Sequence, residues 1–533
     1  MQKLTHIGLS ILSGILLFIA WSPLPFAFCI FFAWIPLLFI ADKVNNKNAF
    51  FGLAFLTLFI WNVCTTWWIW NSTDIGSIFA IAANSLLMYV PWWGYINIKK
   101  KSGHYIGYIS LIAFWMLFEY IHLNWELSWP WLSIGNAFAE KTNWVQWYEY
   151  TGIGGGTLWV FVINILLYDI WKKIKQNTSI TIQWTIKRIT VLMLLIILPA
   201  AISISLLQHD VDNNNTQDNV VIVQPNIDPY QKFEQTSTSS QIKKLIDLSE
   251  KKIDENTKLV VWSETALSAQ IALNDITTAP VYQAVFAFIH RHPHITLLTG
   301  VETYKTFTEP TQYTQKTTQG FYYESYNAAI ALNSKAPMQL YFKSKLVPGV
   351  ETLPSFLKIL APLFEKFGGT TGGYAKDTAA TTFQIAESPF IAAPIICYES
   401  IYGAYVASYV QKGANLIAII TNDGWWGNTA GHKQHLAYAK LRAIETRRWV
   451  VRSANTGISA VINPYGQIII TEGWDKAGSL QYNLPAPNNN KTFYVRHGDY
   501  LYKIFSVLAV LILIWQVVAK INNRKNNISS QSL

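Results

Sequence analysis

Three side chains with the means for acyl chemistry stand at the ends of apolar runs in the second half of this 533-residue chain: Glu264, Lys343 and Cys397. Val260-Val261-Trp262-Ser263-Glu264 reads as a buried strand ending on a carboxylate. Tyr341-Phe342-Lys343 ends a second strand on an amine, followed by Ser344-Lys345-Leu346-Val347-Pro348 and then Glu351. Ala393-Pro394-Ile395-Ile396-Cys397-Tyr398-Glu399-Ser400 is a strand that breaks into a sharp turn ahead of a helix. At such a turn a thiol meets an incoming carbonyl, and the next backbone N–H faces the oxyanion that develops. A free cysteine has a pKa near ~8.5, so it needs a base or a nearby cation to react at neutral pH. Glu264 and Lys343 are of the types that supply these. Singly, each residue has an ordinary reading as core, turn or surface charge. The order Glu, Lys, Cys, each at a strand end, outweighs those readings.

The elements that must position them lie between residues 216 and 490. Apolar, β-rich runs occur at 219–223, 258–262, 295–301, 326–332, 338–342, 390–397, 415–421, 449–453, 458–462 and 467–471. Helical periodicity at 240–255, 279–290 and 432–447 falls between several of them. This alternation predicts an α/β domain whose sheets are covered by helices. The Thr-rich stretch 303–320 is expected to be a mobile surface loop. His432 and His435 have an H-x-x-H spacing, but no third ligand accompanies them, so no metal and no cofactor are expected. Asp423, Trp425 and Asn455 are expected to hold loops around the site.

The rest of the chain is of another kind. Overall, 51% of residues are hydrophobic and only 14% charged, where soluble domains carry about 25%. Eight runs approach the length of a membrane span: 7–22, 27–41, 49–70, 77–97, 105–122, 151–171, 189–207 and 500–519. The second is short, and reads as tilted, half-buried or re-entrant. The first lacks a small-x-small cleavage site and reads as a retained anchor. With the N-terminus inside, the segments 1–6, 42–48, 99–104, 172–188 and 520–533 hold fourteen lysines and arginines. The opposite short loops hold Lys141 alone. That bias predicts two cytoplasmic termini and an extracytoplasmic segment 208–499. It also makes the net charge of +10 topological and removes the main argument for nucleic-acid binding. The expected domains are 1–207 in the membrane, 208–499 outside and 500–533 as a final helix and tail. Tryptophans 67, 68, 70, 92, 93, 125, 129, 131, 144 and 147 read as an interfacial belt, and the loop Trp125–Trp131 as lying on the membrane surface. Gly154-Gly155-Gly156 suits close helix packing. Glu119, near a span end, is either structural or touches a head group.

Cys29 and Cys64 sit in apolar runs, so Cys397 is alone in the water-soluble part. Beyond the three site motifs lie Gln224-Pro225-Asn226-Ile227, Thr421-Asn422-Asp423-Gly424-Trp425-Trp426-Gly427, Gln434-His435, Arg442-Ala443-Ile444-Glu445 and Arg452-Ser453-Ala454-Asn455-Thr456-Gly457. Together they resemble, over essentially the full length, the apolipoprotein N-acyltransferase family. That family is the membrane-embedded branch of the carbon-nitrogen hydrolase (nitrilase) superfamily. The resemblance implies a polytopic helical membrane domain of about eight spans joined to an αββα sandwich. It implies transfer of an acyl chain from a phospholipid to a diacylglyceryl-modified apolipoprotein in the bacterial inner membrane. By position, Glu264 is the general base, Cys397 the nucleophile and Lys343 the oxyanion stabiliser. Glu351 orients the triad, and Tyr398 and Glu399 shape the site. Lys343 is chosen because the family's spacing is Lys-x-His-Leu, which puts Lys345 in the histidine's place. Two departures stand out. Val347-Pro348-Gly349-Val350-Glu351 replaces Val-Pro-Phe-Gly-Glu, and Phe233 stands where tryptophan is common, at a substrate-binding position. The stretch 355–374, with Leu360 and Phe364, reads either as a packed amphipathic helix or as a lid dipping into the membrane. Two rivals remain: a membrane-tethered amidase using water as second nucleophile, and a transporter whose soluble domain binds ligand.

Overall fold

A computed structural model of the chain describes residues 2–176, 181–207, 215–230, 232, 237–317, 320–353 and 373–531. Phe233 and most of 355–374, including Leu360 and Phe364, lie outside the described residues. The apolar runs form helices Gln2–Ile19, Ile35–Lys43, Lys47–Thr66, Trp70–Asn124, Ile153–Lys175, Ile182–Leu207 and Tyr500–Gln531. Trp70–Asn124 is interrupted at Thr73–Asp74 and again at Gly103, whose φ is +84°. The second break follows Lys99-Lys100-Lys101 and turns the chain back, so that 104–124 is a separate rod. Among the described residues, four helical stretches are long and apolar enough to cross a bilayer: Lys47–Asn124, Ile153–Lys175, Ile182–Leu207 and Tyr500–Asn523.

The run at 27–41 is not one helix. A 3-10 turn, Ala27–Phe31, is followed by the nine-residue helix Ile35–Lys43. Such a break leaves backbone groups open in an apolar setting, where each needs a partner. Asn164 supplies two: its Oδ1 accepts from Trp34 N at 2.9 Å, and its Nδ2 donates to Ile30 O at 2.9 Å.

Glu119 does similar work on a larger scale. It is 2% exposed, and its carboxyl accepts from Trp115 Nε1 (2.9 Å), Ile134 N (2.8 Å), Thr157 Oγ1 (2.8 Å) and Tyr502 OH (2.7 Å). One side chain thus ties together three helices and a loop, which makes its role structural. A buried donor left without a partner costs about 1–3 kcal/mol. Glu119→Leu is therefore expected to lower the thermal midpoint in detergent markedly, and Glu119→Gln, which keeps one acceptor oxygen, much less. Equal midpoints for the two variants would show that packing alone matters there.

The tryptophans do not form one belt. Trp67, Trp70 and Trp93 are about half exposed, whereas Trp68, Trp92 and Trp131 are fully buried. Helix geometry turns neighbours to different faces, so adjacent indoles divide between surface and core. In the loop Trp125–Trp131, Pro130 and Trp131 are buried in the seam between the two halves of the protein, where Trp131 meets Trp68, Trp426 and Tyr438, while Trp125, Leu127 and Trp129 are half-buried. The triple glycine packs tightly, as expected: a Cβ on Gly156 would stand 1.8 Å from the Tyr148 hydroxyl.

The α/β half contains two sheets. The first is built from β1 (Asn215–Gln224), β2 (Thr257–Val261), β3 (Leu267–Ala272), β4 (Thr296–Phe307), β5 (Gln315–Lys316), β6 (Tyr322–Asn333) and β7 (Ala336–Phe342). The second is β8 (Phe383–Gln384), β9 (Ile391–Ile396), β10 (Leu416–Thr421), β11 (Trp449–Ala454), β12 (Ser459–Ile462) and β13 (Ile468–Glu472), in the order 13-12-11-10-9-8. β14 (Gly478–Pro485) returns to the first sheet, antiparallel to β1. Side chains alternate between faces along a strand. Val220 and Ile222 therefore enter the core between the sheets with Ala392, Leu416 and Val451. Val221 and Val223 pack outward with helices Thr238–Glu250 and Gln283–Arg291. Residues 303–307, expected in a loop, continue β4 and pair with Tyr322–Tyr326 of β6. Threonine and aromatic residues suit such a pleated surface.

On the far side of the second sheet, helix Ala430–Thr446 has 15 of its 17 residues buried. One face lies toward the sheet, and the other joins the core of the membrane half through Ala437, Tyr438, Leu441 and Ile444. Gln434 accepts from Trp131 Nε1 (2.7 Å) and Trp68 Nε1 (3.3 Å) and donates to the carbonyls of Ser22 (2.8 Å) and Thr65 (3.2 Å).

Candidate active site

Three strand ends bring the predicted residues together. Glu264 follows β2, Lys343 follows β7 and Cys397 follows β9, so the site opens where the two facing sheets run out. After Val261 the chain turns sharply. Thr265 has φ +48°, and Gly300 of β4 stands so close behind that a Cβ there would lie 2.4 Å from Thr265 N. Only a residue without a side chain lets β4 back onto the turn that carries Glu264. Cys397 itself has φ +49°, a left-handed conformation that an L-residue holds only when its surroundings impose it. It opens the turn Cys397–Ile401, which aims its side chain away from the strand direction.

Lys343 is 1% exposed and bridges two carboxylates, Glu264 Oε1 at 3.1 Å and Glu351 Oε1 at 2.7 Å. Burial alone would push its ammonium down, but Glu264, Glu351 and then Cys397 outweigh it, and the amine is held well above its ordinary range. Glu351 also accepts from Val347 N at 2.8 Å, so the departure at Gly349-Val350 leaves its carboxylate on Lys343. Burial pushes the Cys397 thiol up, Glu264 adds to this, and Lys343 opposes it only in part. A raised pKa means a smaller thiolate fraction at any given pH. Alkylation of the resting enzyme by iodoacetamide is thus expected to be slower than that of a free cysteine and still to be climbing above about pH 9. A plateau near pH ~8.5 would contradict this.

Glu399 is fully buried and fastens the Cys397 turn to the exit of β7. It accepts from Ile396 N (2.8 Å), Ser344 N (2.7 Å), Lys345 N (3.2 Å) and the Tyr341 hydroxyl. Burial raises its carboxyl to about 7, against the pull of those donors and of Lys343. Tyr398 points to the seam, donating to Ser128 O at 2.8 Å and stacking on Trp129. Phe233 lies outside the described residues.

Several groups at the site carried little signal in the sequence. Asn327 on β6 donates to Glu264 Oε1 at 2.8 Å, and its carbonyl accepts from Lys343 N at 2.9 Å. Its one trace was a polar residue at the head of an apolar strand. Lys232, 2% exposed, donates to Thr265 Oγ1 at 2.8 Å and to Glu264 O at 3.3 Å, steadying the same turn. Burial lowers its amine to about 8, with Glu264 and Glu302 opposing. Beneath the thiol, His435 Nδ1 donates to Asp423 Oδ1 at 2.9 Å, and its Nε2 lies 3.1 Å from the Cys397 carbonyl. Burial would raise Asp423, but Arg452, at 2.6 Å, and His435 outweigh it and hold the carboxyl well below its usual range. His432 turns elsewhere and stacks on Trp474. Asn455 joins the loops, donating to Ile227 O at 2.7 Å and Asn422 Oδ1 at 3.2 Å.

A buried carboxylate, an ammonium and a thiol thus meet at the mouth of two stacked sheets. Residues 219–488, just over half of the chain, match the carbon-nitrogen hydrolase family, and the chain belongs to that family. Residues 13–166 match the apolipoprotein N-acyltransferase N-terminal domain. Over nearly its full length the chain is similar to apolipoprotein N-acyltransferases. That of Chlorobaculum tepidum is 28% identical over 92% of each chain. That of Thermotoga maritima is 24% identical over 96% of this chain and 93% of its own, and that of Rickettsia prowazekii 28% over 78% of each. A solved amidase of the nitrilase superfamily from Nesterenkonia aligns with 56% of this chain and 100% of its own, at 13% identity and a TM-score of 0.38.

Proposed function

We propose that this protein transfers a fatty acyl chain from a phospholipid to the α-amine of a diacylglyceryl-cysteine at a lipoprotein N-terminus, through a thioester on Cys397. The observation that carries the reading is the Lys343 ammonium held between Glu264 and Glu351 beside a thiol on a strained turn. Similarity to curated N-acyltransferases over both halves of the chain supports it.

In this mechanism Glu264 takes the thiol proton as Sγ attacks the ester carbonyl. Lys343 and the backbone N–H that follows Cys397 stabilise the tetrahedral oxyanion. As the intermediate collapses, the C–O bond breaks, and the proton on Glu264 passes to the departing lysophospholipid. The lipoprotein amine then attacks the thioester and gives its proton to Glu264. An amide forms, the C–S bond breaks, and the thiol is restored. Glu351, Asn327 and Glu399 hold the reacting groups in place. No metal or cofactor enters any of these steps.

A membrane setting suits two lipid-anchored substrates. The proposed topology has about eight spans in the inner membrane, both termini in the cytoplasm and the α/β half outside, on the strength of the lysine and arginine bias. Impermeant labelling of single introduced cysteines is expected to find 43–47, 99–101 and 172–175 protected in intact spheroplasts and 470–480 open. The activity itself is tested with purified protein, phospholipid and a diacylglyceryl peptide, by mass spectrometry of the peptide. Amide-linked acyl peptide is expected. Free fatty acid in its place would mark a hydrolase, and labelling of 470–480 only from the cytoplasmic side would end the lipoprotein reading.

A further inference from the structure

Lys343 and Lys345 are two residues apart and meet opposite surroundings. Lys343 turns inward between its carboxylates, and Lys345 turns into a cavity of about 440 Å³ at the junction of the two halves. One wall of this cavity is Ser344–Leu346, fastened to Glu399 and so to the Cys397 turn. The opposite wall is Asn124–Glu126, at the end of the apolar rod 104–124. Lys376 lines the same space.

Lys345 is half-buried and Lys376 exposed, and neither is held in a direct ion pair among the described residues. In this they differ from Lys343 and Lys232, which have oxygen partners at 2.7–3.1 Å. Lys345 Nζ rests over the rings of Tyr402 and Tyr405, 5.1 and 5.7 Å from their centroids. That contact is favourable but leaves the N–H donors free to point into the cavity. Burial pulls the Lys345 amine down and the like charge of Lys376 pulls it further, with Glu399 and Asp499 opposing at longer range. Glu126, on the opposite wall, is the one acidic residue among those that line the space; Gln312, Gln315 and Thr314 add neutral polar groups. Two like charges converging on one polar cavity are relieved together by a single compact anion that accepts from both. Lysine is a point-charge donor of the kind that meets phosphate, and basic pockets at a membrane interface recognise lipid head groups.

We propose that Lys345 and Lys376 hold the phosphodiester of the acyl donor in this cavity. The site thereby selects a phosphate-bearing lipid and sets the distance from its phosphate to the ester that reaches Cys397. The inference rests on the acyl-transfer reading above. It is particular to this chain in that Lys345 stands where the family's spacing places a histidine.

The test compares two donors in mixed micelles, a phospholipid and a diacylglycerol with the same acyl chains but no phosphate, read as lyso-product released. Proteins are the wild type, Lys345→Met, Lys376→Met and the double variant, each checked for iodoacetamide alkylation of Cys397 to confirm an intact site. The expected result is a rise in KM for phospholipid of about tenfold per lysine with kcat little changed, so that the preference for phospholipid over diacylglycerol collapses. Inorganic phosphate, added as a competitor, is expected to inhibit only weakly. An unaltered preference in the double variant, with normal alkylation, would overturn the proposal while leaving the acyl-transfer reading intact. An equal fall for both donors would assign the lysines a purely structural part and overturn it too. Tight inhibition by inorganic phosphate that the lysine variants abolish, with lipid preference unchanged, would make this a free-phosphate site instead. Absence of lyso-product from the wild type with either donor would overturn the acyl-transfer reading itself, and this proposal with it.

Discussion

Wild-type protein given phospholipid alone is expected to release about one lysophospholipid per polypeptide and then to stall until a lipoprotein amine is added, the burst that marks a covalent intermediate. The stall follows from the chemistry of sulfur. A thioester survives long enough to wait for a second bulky substrate, yet an amine opens it readily. In the proposed scheme Glu264 is the thiol's base and Lys343 the cation beside it, and burial raises the thiol pKa. Intact-protein mass spectrometry of the stalled enzyme is expected to show one added acyl chain on Cys397, removable by hydroxylamine. Cys397→Ser, with a poorer nucleophile and an oxygen ester that donates poorly to nitrogen, is expected to lose nearly all transfer while keeping its fold. Steady lysophospholipid release without an acceptor would point to hydrolysis, and full transfer by Cys397→Ala would remove the nucleophile from the scheme.

The second large effect is expected at Lys343. Lys343→Met takes away the donor to the oxyanion, worth about 10²–10³ in rate for one such group. It also leaves the Glu264 and Glu351 carboxylates facing each other without the cation between them. Their repulsion is then no longer offset, and the base is compromised as well. Thioester formation in a single turnover is therefore expected to fall by about 10³ or more, a larger loss than from Glu351→Gln, which keeps the Lys343–Glu264 pair. Lys343→Arg is not expected to rescue it, because a planar fork does not fit a space shaped for a point charge. A folded Lys343→Met protein within tenfold of wild type would place the ammonium away from the reacting carbonyl.

The strands that carry the site were legible because they are buried on both faces. Val260, Ile395 and Ile419 belong to continuous apolar runs, and such runs have few other uses in an α/β domain. β14 left no comparable mark, since most of its residues are half-exposed at the edge of the first sheet and carry no periodic apolar signal. The convergence of Glu264 and Lys343 followed from each standing at a strand end. The partners that hold them did not. Asn327 and Lys232 act through a few hydrogen bonds to a turn far away in sequence, and no spacing rule reaches across 63 residues from Glu264 to Asn327. The tryptophans were misread for a related reason. An indole is equally at home in a lipid interface and in a packed core, and only the direction of its helix face decides which.

Gln434 and His435 are neighbours on one helix, yet the first is bonded to the membrane half and the second lies against the Cys397 carbonyl. On that helix all but Ala430 and Lys433 are buried. Two sequence families meet in this chain, but the boundary between them is not a line along which the molecule comes apart. Cut out and expressed alone, residues 215–485 would bare Tyr438, Leu441 and Ile444 and take from Gln434 all its partners in the helical half. Such a fragment would sooner aggregate than stay dissolved. The α/β half thus shares part of its core with the helical half, and the same helix that seats it there lies against the turn of Cys397.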